Sequence, residues 1–197
     1  MTFRLGLTGS IGMGKSTTAQ LFADEGCDTW DADAAVHRLY STGGLAVEGI
    51  RKVFPEAIED NAVSRAKLKQ IISSDETALK QIEEIVHPLV RADRLEFIEV
   101  SDRDIVIFDV PLLFETNSQN EFDAVVCVTA PADVQKQRVL ARPGMTEAHF
   151  QIILGKQMPD AEKRKRADYI VETTTLEHAK MQVQQIVSDI RGKLSNA

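Results

Sequence analysis

Cysteine, positive charge and long apolar stretches are all scarce in this chain, and each scarcity closes off a class of protein. Among 197 residues there are two cysteines, Cys27 and Cys127, with no second Cys or His at metal-ligand spacing. That pattern excludes a disulfide framework and a zinc site and leaves two buried thiols. The longest apolar runs, Ile105 to Phe108 and Ala124 to Val128, fall far short of the ~20 residues that a membrane-spanning helix needs. The residues from Met1 to Leu7 lack the apolar stretch and cleavage site of an export signal, so a cytoplasmic protein with no membrane partner is expected. Lys and Arg number 23 against 30 Asp and Glu, a formal net charge of −7. A nucleic-acid coat needs a broad basic face, so no nucleic-acid partner is expected. What remains is an ordinary globular composition, 43% hydrophobic, in a chain long enough for a core domain with an insertion.

Phe3 to Thr8 alternates weakly and runs into a glycine-rich loop, which predicts a strand entering a turn. From Ser16 the apolar spacing turns helical and Gly26 stops it. A second short strand over Cys27 to Trp30 leads through Asp31-Ala32-Asp33 into a helix at Ala34 to Tyr40. From Leu45 to Val100 the chain is poor in strands, with helical patterns around 46–54, 64–73 and 76–100, which reads as a helical insert. Ile105 to Phe108 and Ala124 to Val128 are continuous and rich in β-branched residues, as expected of parallel strands buried on both faces. Tyr169 to Val171 reads as a fifth strand and Leu176 to Leu194 as a closing helix. Strands alternating with helices predict an α/β fold, a five-stranded parallel doubly wound sheet flanked by helices. The expected division is a core over 1–44, 101–135 and 167–197, a helical insert over 45–100 and a small helical lid over 136–166.

Gly9-Ser10-Ile11-Gly12-Met13-Gly14-Lys15-Ser16 fits GxxxxGK[ST] and lies between a predicted strand and a predicted helix, where the mechanism needs it. Gly9, Gly12, Met13 and Gly14 let backbone N–H groups curl around phosphate oxygens, and the helix that begins near Ser16 and Thr17 turns its positive end toward the same anion. Lys15 is placed to reach the β- and γ-phosphates, and the Ser16 hydroxyl to ligate Mg²⁺ brought in with ATP. Asp109 ends a buried strand, either as a second acidic group near the metal or as a cap of the next turn. No Asn-Lys-x-Asp guanine motif and no Leu-Ser-Gly-Gly-Gln signature is present, so a small-molecule kinase fits better than a GTPase or a transport ATPase.

A kinase also needs a carboxylate to take the proton of the attacking hydroxyl. Asp33, just past the second strand, is suited to that role, though Asp31 or Asp33 could equally cap the following helix. Between Lys136 and Arg166 there are eight basic and three acidic residues, a basic segment that could close over ATP. Arg138 and Arg142, four apart on a predicted helix, point to one side. Lys163 to Arg166 reads as a solvated face, because four charges without interleaved aromatics make a weak nucleic-acid footprint.

Together with the phosphate loop from Thr8 to Thr17, the segments Asp31-Ala32-Asp33, His87-Pro88, Val110-Pro111-Leu112-Leu113-Phe114-Glu115, Arg138 with Arg142, Gln157-Met158-Pro159 and Ala167-Asp168-Tyr169 resemble the dephospho-CoA kinase family over about residues 3 to 190. The resemblance implies a sheet of the phosphate-loop NTPase type with a nucleotide-binding core and an acceptor-binding insert over 45–100, and transfer of the ATP γ-phosphoryl group to the 3′-hydroxyl of the dephospho-CoA ribose, with Mg²⁺. It implies Asp33 as general base, Lys15 with Arg138 and Arg142 on the phosphates, Arg138 the more suited to transition-state charge, and Thr8, Arg65 and His87 as acceptor contacts. His87 before Pro88 could instead be a structural residue ending a helical turn, and Glu115 either an anchor or part of the metal environment. A monomer is favoured. Two positions depart from the family. Ile153 stands where many relatives carry a lid Arg, and Glu172-Thr173-Thr174-Thr175 replaces their Asn-x-Gly turn beside adenine. Other readings of the same residues are a nucleoside-monophosphate or shikimate-type kinase and a non-enzymatic nucleotide-binding protein.

Overall fold

Continuous β-branched runs have no polar face to turn outward, so they need cover on both sides, and that requirement organises the chain. The computed structural model describes residues 2–196. In chain order the elements are β1 (Phe3–Thr8), α1 (Lys15–Asp24), β2 (Asp28–Asp31), α2 (Ala32–Tyr40), α3 (Ala46–Val53), β3 (Ile58–Glu59), β4 (Ala62–Val63), α4 (Arg65–Ser74) and α5 (Ala78–Val100). They continue as β5 (Ile105–Asp109), β6 (Ala124–Thr129), α6 (Ala132–Leu140), α7 (Glu147–Lys156), α8 (Asp160–Arg166), β7 (Tyr169–Glu172) and α9 (Leu176–Ser195).

The chain divides into two units, one of residues up to Trp30 together with those from Ser101 onward, the other Asp31–Val100. The larger unit holds a five-stranded sheet in the order β2-β5-β1-β6-β7, with β1 parallel to β5 and β6, and β6 parallel to β7. Every residue of β5 and β6 is buried. Leu5, Leu7, Ile105, Ile107, Val126 and Val128 pack with Phe22 of α1 and with Val183, Ile186 and Ile190 of α9. On the opposite side, Phe108 meets Trp30 and Phe122 at ring-centroid distances of 6.0 and 5.6 Å. Cys27 and Cys127 are both free and buried, and loss of water pushes their thiols up to about 11 and about 12.

The smaller unit has its own core, built from Leu39, Tyr40, Val47, Ile50, Leu68, Ile82 and Val86. Three features depart from the sequence reading. First, α2, expected to belong with the nucleotide core, puts Leu39 and Tyr40 into this second core, and its Arg38 is tied to Asp93 of α5 at 2.6 Å. Second, the insert is not purely helical, because β3 and β4 form an antiparallel hairpin. Its turn residues Asp60 and Asn61 have φ of 48° and 58°, which is the two-residue turn that Asn and Asp tolerate best. Third, α5 runs unbroken through Pro88, so His87 does not end a helical turn. The proline forfeits one intrahelical bond, and the carbonyl four residues back, on Glu84, sits on an exposed stretch where water can replace it.

Candidate active site

The last residue of β1 leads into a loop that only glycine could follow. Gly12 and Gly14 have φ of 77° and 90°, a left-handed conformation that side chains strain. A Cβ on Gly12 would also lie 2.4 Å from Cγ2 of Val139. Gly14 caps α1, and Lys15, Ser16 and Thr17 form its first turn, with Ser16 and Thr17 exposed. Gly9 packs against the Val128 carbonyl. The Met13 side chain is buried, and its Sδ accepts from the Ala130 N–H at 3.1 Å. Sequence and structure therefore agree on a loop whose amides lie at a helix N-terminus, the arrangement that binds phosphate.

The charged groups at the loop are partly committed to one another. The Lys15 ammonium pairs with the carboxylate of Asp109, itself 4% exposed at the end of β5. The Ser16 hydroxyl has no protein partner among the described residues. Ser16 and Asp109 supply only oxygen donors, which suits a hard divalent cation that brings water and phosphate oxygens with it. Among the described residues no group of three or more His, Cys, Asp or Glu forms a self-sufficient metal site.

Arg138 and Arg142 line one cavity of about 310 Å³ with Gly12, Gly14, Thr17 and Thr175, but they differ in engagement. Arg138 Nη1 donates to Thr173 Oγ1 at 2.8 Å and Nη2 to the Thr173 carbonyl. The Thr173 hydroxyl in turn donates to the Met13 carbonyl at 2.7 Å. The Arg142 side chain is exposed, and its guanidinium makes no hydrogen bond or ion pair among the described residues. Thr173 is thus a joint between the lid arginine and the phosphate loop that sequence reasoning missed; its only signal was the departure from the family turn at 172–175. Thr175 caps α9 by accepting from the His178 N–H at 3.2 Å. Ile153 is half-buried on α7 and Lys156 exposed at its end.

Thr8 is fully buried and its hydroxyl donates to the Pro111 carbonyl at 3.2 Å. Lys163, expected on a solvated face, is 0% exposed and pairs with Glu115 at 2.8 Å. The same Glu115 oxygen accepts the Met158 N–H at 2.8 Å. Of the two readings of Glu115, the anchor fits this geometry. The other three basic residues of the run are exposed, so the solvated-face reading fails at Lys163 alone; a helix of seven residues must turn one of its basic positions inward.

In the smaller unit Asp31 takes the cap of α2, its carboxylate accepting the Ala34 N–H at 2.7 Å. Asp33 lies in the first turn, exposed, and its carboxylate has no protein partner among the described residues. The cap alternative therefore falls to Asp31. Arg65 is stacked over the Tyr40 ring, 5.8 Å from its centroid, and its Nη2 donates to the Asp33 carbonyl at 3.3 Å. Burial raises the Tyr40 phenol above its usual range. His87 is exposed on α5.

The sheet order, the glycine loop at the head of α1 and the arginines beside it define a phosphate-loop kinase, a class that works on ATP with a divalent metal. Residues 3–178 match the model of the dephospho-CoA kinase family, and the chain belongs to that family. It is 61% identical to the dephospho-CoA kinase of Ruegeria pomeroyi over 97% of both chains. Among solved structures, TT1252 from Thermus thermophilus superposes with a TM-score of 0.86 at 32% identity, covering 95% of this chain and 97% of that one. A dephospho-CoA kinase from Campylobacter jejuni shares the fold, with a TM-score of 0.65 at 22% identity over 96% and 97% of the two chains. Among the described residues no helix is long and apolar enough to cross a membrane.

Proposed function

We propose that this chain transfers the γ-phosphoryl group of ATP to the 3′-hydroxyl of the dephospho-CoA ribose. The observation that carries the reading is the Asp33 carboxylate. It stands at a helix start where an Asp would ordinarily be spent as a cap, yet Asp31 caps instead and leaves Asp33 unengaged. In the proposed step Asp33 takes the proton of the 3′-hydroxyl, the O3′–Pγ bond forms, the bond from Pγ to the bridging oxygen breaks, and ADP leaves.

Lys15 and the amides of residues 12 to 17 hold the β- and γ-phosphates. Ser16, with Asp109 nearby, would hold Mg²⁺ brought in with the phosphates, and the bound cation would supply charge neutralisation there. Arg142, whose guanidinium has no partner among the described residues, meets the charge that develops in the transition state. Arg138 supports the loop through Thr173, which reverses the expected ranking of the two arginines. Arg65, held by Tyr40, and His87 contact the acceptor, and residues 136–166 act as the lid.

The test is ADP release with dephospho-CoA, AMP and shikimate as acceptors. Stimulation by dephospho-CoA above the others is expected. Equal or greater stimulation by AMP or shikimate, or none by dephospho-CoA, overturns the reading.

A further inference from the structure

Lys163 is the one residue of its basic run with no access to water, and a buried ammonium costs several kcal/mol unless it is paired and hydrogen-bonded. Its partners lead to the phosphate loop by two routes. Nζ donates to the Pro111 carbonyl at 3.3 Å, and that carbonyl also accepts from Thr8, the residue before the loop. Nζ also pairs with Glu115 Oε1, which accepts the Met158 N–H. Beside Met158, the Gln157 Oε1 accepts the Ile11 N–H at 3.0 Å, while Gln135 Nε2 donates to the Ile11 carbonyl at 2.8 Å. Ile11 is therefore held at both its N–H and its carbonyl, one residue before the left-handed Gly12.

We infer that Gln157 is a positioning residue for the phosphate loop and that Glu115, itself held by the buried Lys163, sets its place by accepting the Met158 N–H. The inference rests on the proposed ATP site, because a loop that must present consecutive amides to a triphosphate binds better when its shape is settled before the ligand arrives. Of the two routes, the one through Glu115 carries the effect, its oxygen accepting the Met158 N–H. A pair that only stabilised the fold could be exchanged for apolar side chains of similar size without functional effect.

The experiment compares two double variants, both lacking the ion pair. Lys163→Met with Glu115→Gln keeps an acceptor for Met158; Lys163→Met with Glu115→Leu does not. Binding of a fluorescent ATP analogue, the amide resonance of Ile11 and the melting temperature are measured on each and on Gln157→Leu. In the double variant with Glu115→Leu, and in Gln157→Leu, nucleotide affinity is expected to fall about ten-fold and the Ile11 resonance to move, while the double variant with Glu115→Gln stays within about two-fold. Parent-like affinity in Gln157→Leu overturns the proposal whatever the Ile11 resonance does, as does equal behaviour of the two folded double variants. If a double variant does not fold, Gln157→Leu decides alone. Nucleotide binding needs no acceptor, so failure of dephospho-CoA to stimulate turnover would sink the functional reading and leave this result standing.

Discussion

The two units treat their polar groups in opposite ways. In the larger unit most groups around the phosphate loop, Ser16 and Arg142 excepted, are engaged within the protein: Lys15 with Asp109, Arg138 with Thr173, Ile11 with two glutamines, Lys163 with Glu115. In the smaller unit the residues assigned to the acceptor are exposed, and Asp33 and His87 have no side-chain partners among the described residues. A triphosphate is the same in every turnover and rewards a site built in advance. A hydroxyl to be deprotonated rewards a carboxylate that nothing else occupies.

The sharpest way to break this contrast is Asp33→Asn. Turnover is expected to fall by about 10²–10⁴, with ATP affinity unchanged by calorimetry, because the engaged side of the molecule is untouched. A matching loss of ATP affinity would erase the division of labour. Lys15→Ala, on the engaged side, is expected to cost about 10²–10³ in turnover and to weaken ATP binding as well. Its readout is the same titration with the opposite sign of result.

A smaller effect separates the two arginines. Arg142→Ala is expected to lower kcat about ten-fold or more with the melting temperature unchanged, whereas Arg138→Ala lowers the melting temperature, since a buried hydrogen-bonded joint loses about 1–3 kcal/mol. Identical thermal behaviour would put both arginines in one role. The least effect is expected at a rim pair. Arg191 hydrogen bonds hold the Asp104 carboxyl below the usual carboxylate range. Its stabilisation is thus present above the unfolded value and lost as pH falls through the lowered folded one. Both side chains are more than two-fifths exposed, so Asp104→Asn should cost only about 0.5 kcal/mol near neutral pH after screening and nothing in strong acid. Denaturant melts at neutral pH and in strong acid check it.

Much of this was legible in the sequence because it was written in local patterns. The β-branched runs at 105–108 and 124–128 became buried parallel strands, and the glycine run became a left-handed loop at the head of α1, because spacing and residue type alone decide both. The cap at Asp31 was undecidable beforehand, since Asp31 and Asp33 are chemically the same and only the backbone angle at the helix start distinguishes them. The β3–β4 hairpin hid because its strands are two residues long, although Asp60-Asn61 marked the turn. Lys163 and Gln157 were illegible for a different reason. Their partners lie 52 and 146 positions away in the chain, and no periodicity carries such a pairing.

The two cysteines have a consequence for chemical compatibility. The proposed acceptor and its product each end in a thiol, and a thiol in air or peroxide becomes a disulfide that any accessible protein thiolate can attack, forming a mixed disulfide and releasing the other thiol. Cys27 and Cys127 are buried in the larger unit and almost entirely protonated at neutral pH. The protein can therefore handle a sulfhydryl cargo without being covalently captured by its oxidised form.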